Sequence, residues 1–233
     1  MKYKFLVVII VLAIFSCNNA KPDLLITGQI KGLKKGKLYL QKIKDSTIAN
    51  IDSVEFYSNN NFKFEIPIEH PEIMYLQLQK DTVEIEDNFI AFFADKGQLQ
   101  IDAKLEEFMF ADVEANYDNQ KQFQIYSKNI NRFSNQKLDL IEAELEARKA
   151  QDKKRLDSIN KAYNKMNQRR YLYAVNFAMS HPDLEISPYV ILNHEEYISK
   201  KYLDSVYQNL NRNIQKSFYG QKLNDLVTQP NSN

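Results

Sequence analysis

Cysteine occurs once in this chain, at Cys17, and tryptophan not at all. A single thiol closes no intrachain disulfide, and it falls short of the two to four cysteines of a structural zinc site or an iron–sulfur cluster. Glycine is scarce, five in 233 residues, and those present are expected at turn positions, with no phosphate-cradling loop among them. Neither sign of charge dominates, with 31 Lys and Arg against 30 Asp and Glu, so the basic footprint of a nucleic-acid binder is missing. The longest apolar run, Phe5 to Phe15, is about half of the ~20 residues that a bilayer-spanning helix needs. Of the three histidines, His70 and His181 each precede a proline, which reads as turn chemistry. His194-Glu195-Glu196 lacks the second His four residues on that a zinc-protease helix carries. All three are expected in turns or on the surface. No catalytic residue, metal ligand or cofactor is assigned.

What is present begins with MKYK, the apolar run and then Cys17, the layout of a secretory leader. A cut after Ala20 would put Asn18 at the minus-three position, where a small apolar residue is wanted. Ile14-Phe15-Ser16-Cys17 instead resembles a bacterial lipobox, with Phe15 bulkier than usual. On that reading residues 1–16 are a lipoprotein signal peptide, Cys17 is the lipidated first residue, and 17–23 are a linker. Several acyl chains on one residue give stable anchoring, where a single chain does not. The thioether blocks the only thiol, so the mature chain carries out no thiol redox chemistry. The expected place is the cell envelope, lipid-anchored and facing the periplasm. Asn18 rather than Asp after Cys17 favours the outer membrane.

The rest of the chain has two periods. From Leu24 to about Val113 it alternates, most cleanly in FKFEIPI with Phe62, Phe64, Ile66 and Ile68 on one face. KLYLQKI, IMYLQLQ, NFIAFFAD, GQLQIDA and FMF continue the pattern. Lys35-Gly36, Asp45-Ser46, Asn59 to Asn61 and Asp95-Lys96-Gly97 read as turns between strands. Beyond Tyr117 the apolar spacing becomes helical: Phe123, Ile130, Phe133, Ile141 and Leu145, then Ile159, Tyr163, Met166, Arg170, Tyr173 and Phe177. The charged stretch 146–155 between them predicts a hairpin tip near Ala150 to Asp152, where Asp caps a new helix. A shorter helix is expected after Pro188, and a last one over about 201–227, interrupted near Gly220. The expected class is α+β: an antiparallel β-sandwich or open barrel over 24–114, a helical domain with a long hairpin over 115–228, and a tail over 229–233.

ITGQIKGLKKGKLYLQ, IDSVEF, NFKFEI with a following Pro, and FADKGQLQIDA leading to VEANYDNQKQF together resemble a lipoprotein domain of unknown function. That domain typically precedes thioredoxin-like disulfide reductases of the TlpA and ResA type. HPDLEISPYVIL and SFYGQKLNDLV resemble the helical segment leading into the thioredoxin domain. Ala115 stands where the family usually has glycine, and Asn59 to Asn61 replace a hairpin glycine. The reductase Cys-x-x-Cys has no counterpart among these residues, so the resemblance carries over no catalytic group. It implies a non-catalytic binding or docking module whose partner is a thioredoxin-like protein or its client.

Two other features remain. Asp52-Ser53 is the most distinctive polar pair of the sheet region. A hydroxyl nucleophile needs a base and an orienting group, and spacing marks neither. A side-chain bond to backbone at a strand edge or bulge is the favoured reading. Tyr163, Tyr171, Tyr173, Phe177, Tyr189, Tyr197, Tyr202, Tyr207 and Tyr219 crowd the helical half. They either close a core or line an aromatic groove, which would make the protein a carrier of a small ligand or peptide. An enzyme whose site spacing does not reveal is the remaining alternative.

Overall fold

The computed structural model describes residues 22–44, 46–80 and 89–228. Residues 1–21, which include the expected leader and Cys17, and the tail 229–233 lie outside them. Eight strands come first: β1 (Leu24–Lys31), β2 (Lys35–Lys44), β3 (Thr47–Tyr57), β4 (Asn61–Ile66), β5 (Glu72–Gln79), β6 (Phe89–Ala94), β7 (Gly97–Lys104) and β8 (Asp112–Ala115). They form two separate four-stranded sheets, ordered β4-β1-β7-β8 and β3-β2-β5-β6, so no barrel closes among the described residues. Alternation builds them. In β4, Phe62, Phe64 and Ile66 are buried while Asn61, Lys63 and Glu65 are exposed. Leu38, Leu40 and Phe92 of the other sheet enter the same core. Each such side chain contributes about 1.5–3 kcal/mol by leaving water, and a one-residue slip would turn all of them outward.

One pair departs from the antiparallel expectation. β1 and β7 run parallel, in register from Leu24↔Gly97 to Lys31↔Lys104. Parallel neighbours require a long crossover, and here it is the run from β2 to β6, most of which builds the second sheet. Gly28 permits the close approach of the two strands, since a Cβ there would stand 1.9 Å from Ile101 O.

Three local expectations are corrected. Lys35-Gly36 lies within β2, and the turn forms earlier, at Gly32 with a φ of 90°. Asp95-Lys96-Gly97 connects the two sheets rather than closing a hairpin. FMF is not a strand: Leu105–Phe110 is a 3-10 segment. β1 and β7 end together at Lys31 and Lys104, and beyond them the backbone closes short-range bonds of its own.

The helices follow as α1 (Asp118–Lys149) and α2 (Lys153–Ser180), an antiparallel hairpin, then α3 (Ile186–Leu192), α4 (Lys200–Asn209), α5 (Arg212–Gln215) and α6 (Phe218–Thr228). α1, at 32 residues, is about 48 Å long. The hairpin turns at Ala150 to Asp152. Gln151 takes a φ of 53°, and the Asp152 carboxylate accepts the Arg155 N–H at 3.0 Å. On the seam, Ile159, Met166 and Phe177 are buried, with Tyr163, Arg170 and Tyr173 half-buried. Ile141 and Leu145 of the α1 series are exposed on the distal half of the hairpin.

α3 begins before Pro188, not after it. The proline occupies the first turn, where its missing N–H has no partner to lose. The expected last helix is three pieces. It breaks where Leu210 becomes extended and the Asn211 N–H donates to Pro182 O, and again after Gln215. Gly220 lies inside α6 and lets that helix press onto α5, because a Cβ there would stand 1.7 Å from Ile214 O. A second core joins the halves. Ile73 and Phe93, on the outer face of the second sheet, pack with Tyr126, Val175, Val190 and Leu223 of the helices.

Two substitutions test this account by urea denaturation. Gly28→Ala is expected to lower stability by about 3 kcal/mol, because the β1–β7 pair must part to admit a methyl group. Gln151→Gly is expected to raise it by about 1 kcal/mol by relieving the left-handed backbone at the hairpin tip.

Candidate functional site

Asp52 and Ser53 lie exposed on β3, the outer strand of the second sheet. The ladder to β2 shifts between Leu40 and Gln41, so Ile51 is an unpaired extra residue directly before Asp52. The Asp52 carboxylate accepts the Ser53 backbone N–H at 2.7 Å. Among the described residues no hydrogen bond reaches the Ser53 hydroxyl, and the pair stands as a bulge-side contact with neither base nor orienting group.

The histidines divide. His181 caps the end of α2, its Nδ1–H donating to Phe177 O at 2.8 Å. His70 stacks on Phe218 with ring centroids 3.8 Å apart. His194 stands in a turn, as expected, but is buried rather than at the surface: it is 7 % exposed, and its Nε2 is hydrogen-bonded to the Tyr126 hydroxyl at 2.7 Å. Burial, aided by the Arg170 guanidinium, lowers its pKa to about 4. Among the described residues no group of three His, Cys, Asp or Glu side chains is placed to hold a metal ion.

Most of the aromatic series closes the second core. Phe93 makes edge contacts with Tyr189 and Tyr219, and Tyr126 stacks on Tyr173 and touches Phe177. Burial raises the Tyr126, Tyr189 and Tyr219 hydroxyls well above the ordinary tyrosine value. Tyr197 and Tyr202 alone of the nine are exposed.

The open feature lies at β6, the other outer strand of the second sheet. Ile73 and Phe93 stand opposite one another, yet their amides point elsewhere. The Ile73 N–H donates to the Tyr219 hydroxyl at 3.2 Å, and the Phe93 N–H to Gln120 Oε1 at 2.7 Å. Phe93 O accepts from the Tyr117 hydroxyl at 3.0 Å. This is a non-hydrogen-bonded pair, and such pairs alternate along an antiparallel ladder. Phe89, Ala91 and Phe93 therefore aim both main-chain groups away from β5. Tyr117 and Gln120 occupy those of Phe93. The Ala91 N–H and C=O have no hydrogen bond among the described residues.

These groups border a cavity of about 740 Å³ between β6, the 105–110 segment, β8 and α1. Its apolar wall includes Phe89, Phe123, Met109 at 51 % exposure and Phe110 at 83 %. Gln124 ties α1 to β8 by donating to Val113 O. Lys128 is the only ionisable residue of the lining, so the groove has no acid–base pair. A free strand edge beside an apolar wall suits an extended main chain bearing apolar side chains. The alternation reading placed Met109 and Phe110 in a strand and so missed them as groove residues. The available signal was the surplus of large apolar side chains, since FMF fills both faces of any strand.

Residues 24–122 match the family model of a domain of unknown function (DUF4369). The stretch runs from β1 into the first turns of α1 and includes Tyr117 and Gln120. No curated protein matches the chain. No helix of the described residues is long and apolar enough to cross a membrane.

His194 sets an expected pH dependence. Its pKa in the folded chain is below the unfolded value of ~6.5, so the unfolded state binds the extra proton. The His194 contribution is complete above pH ~6.5 and shrinks as pH falls toward 4, by on the order of 3 kcal/mol. Unfolding free energies measured from pH 7.5 to 4 should carry this slope, and His194→Gln should flatten it.

Proposed function

We propose that this chain is a lipid-anchored docking module of the cell envelope that holds an extended segment of a thioredoxin-like partner protein along the edge of β6. The observation that carries the reading is the pair of main-chain groups at Ala91, without a hydrogen bond among the described residues, beside the apolar wall of Met109 and Phe110 and flanked by the capped groups of Phe93. Backbone pairing selects an extended peptide over a helix or a lipid chain, and apolar contacts on alternate side chains add specificity. Support for the partner comes from the resemblance to domains that precede thioredoxin-like reductases. Support for the anchor comes from Ile14-Phe15-Ser16-Cys17. No catalytic step is assigned to the chain itself.

Affinity capture of the lipidated protein from its own envelope, with free thiols trapped, tests the reading when wild type and groove variants are compared. Phe110→Asp places a charge on the apolar wall without disturbing a core. Ala91→Pro removes one outward N–H at an edge position that proline tolerates. A thioredoxin-like protein recovered with wild type, and reduced at least tenfold with each variant, is the expected result. Its recovery at equal yield with both variants would overturn the β6 site. Its absence above controls would overturn the assigned partner.

A further inference from the structure

A separate cleft of about 270 Å³ lies on the hairpin seam, lined by Asn129, Arg132, Phe133 and Gln136 of α1 and by Arg169 and Tyr173 of α2. Arg132 of α1 and Arg169 of α2, both solvent-exposed, line it from opposite helices, and no carboxylate does. None of the ion pairs among the described residues involves Arg132, Arg169 or Arg170. Arg170, the next residue along α2, does not line the cleft; its Nε is buried and has no hydrogen bond among the described residues. Like charges gathered across a helix seam repel, and the distal ion pairs of this same hairpin show that acids were available to its sequence. Arg148 pairs with Glu144 at 2.6 Å, and Arg155 with Glu146 at 2.8 Å.

We infer that this cleft is a binding site for a small phosphate-bearing ligand, held between the Arg132 and Arg169 guanidiniums. Two planar forks present ten N–H donors, and a phosphate has three terminal oxygens to receive them in charge-assisted pairs. The Gln136 amide adds a further donor at the rim. Phe133 and Tyr173 give the body of the ligand an aromatic wall. The cleft, of about 270 Å³, has room for a phosphate ester of modest size. The site is independent of the β6 groove.

The test is a titration of the nitrogen-15-labelled protein followed by NMR, reading the Arg Nε and backbone amide signals. Glycerol phosphate is compared with acetate and with sodium chloride at matched ionic strength. Saturable shifts confined to residues 129–136 and 169–173 are expected with glycerol phosphate. Arg132→Gln and Arg169→Gln should each weaken the affinity about tenfold or more, and Lys137→Gln, on the same helix outside the cleft, should leave it unchanged. Retention on vesicles of phosphatidic acid but not phosphatidylcholine, lost in both arginine variants, would assign the phosphate to a lipid headgroup. Glycerol phosphate binding without vesicle retention would assign a soluble ester. Shifts that never saturate or spread over the surface lysines mean an adventitious ion only and overturn the site. So does acetate binding as tightly as the phosphate, or an affinity that survives both substitutions.

Discussion

The two halves of this molecule hold together because side chains from the start of α1 complete the hydrogen bonding of a sheet that ends too soon. Gln120 and Tyr117 take both main-chain groups of Phe93. Asn119, between them in the sequence, bridges Asp95 at 2.7 Å and the Ile186 N–H at 3.1 Å. On the same face of the second sheet, Tyr219 accepts the Ile73 N–H through its hydroxyl and donates its own backbone N–H to the buried Glu185 carboxyl. An unpaired buried amide or carbonyl is destabilising by about 1–3 kcal/mol. These bonds fix the angle at which α1 leaves the sandwich. The aromatic packing of Phe93, Tyr189 and Tyr219 fills the space that they define.

That arrangement also accounts for the groove. Among the described residues, the side chains that take the place of a strand neighbour beside β6 reach only as far as Phe93. At Ala91 the substitution stops, while the 105–110 segment has curled away from the ladder and exposes Met109 and Phe110. An open edge of this kind is a liability unless it is short, covered or used. The opposite edge, β3, is managed differently, with a bulge at Ile51 and the charges of Asp52 and Glu55.

Much of the fold was legible in the sequence because period two and period three-to-four are direct consequences of burial. FKFEI and the Ile159-to-Phe177 seam behave as their spacing requires, and the hairpin turns where Asp152 can cap. The β1–β7 pair was not legible, since strand direction depends on what the intervening chain builds. Nor was the burial of His194: its partner, Tyr126, is 68 positions away. The groove was hidden for a different reason. FMF follows an alternating series and so reads as one more strand, and the common end of β1 and β7 leaves it without a partner. Gln120 reads in the sequence as one more polar residue on a helix, and nothing local marks it as a surrogate strand.

The lone parallel pair has a consequence for the order in which the molecule takes shape. Thr27 and Gln100 bond across β1 and β7 at a sequence separation of 73. The first strand translated therefore waits for one of its two neighbours until nearly half of the chain exists. Closing so long a loop is slow, whereas the β2–β3 and α1–α2 hairpins form from contiguous residues. The sheet containing β1 is thus completed after the local hairpins, and its buried Leu24 and Ile26 remain exposed in the meantime.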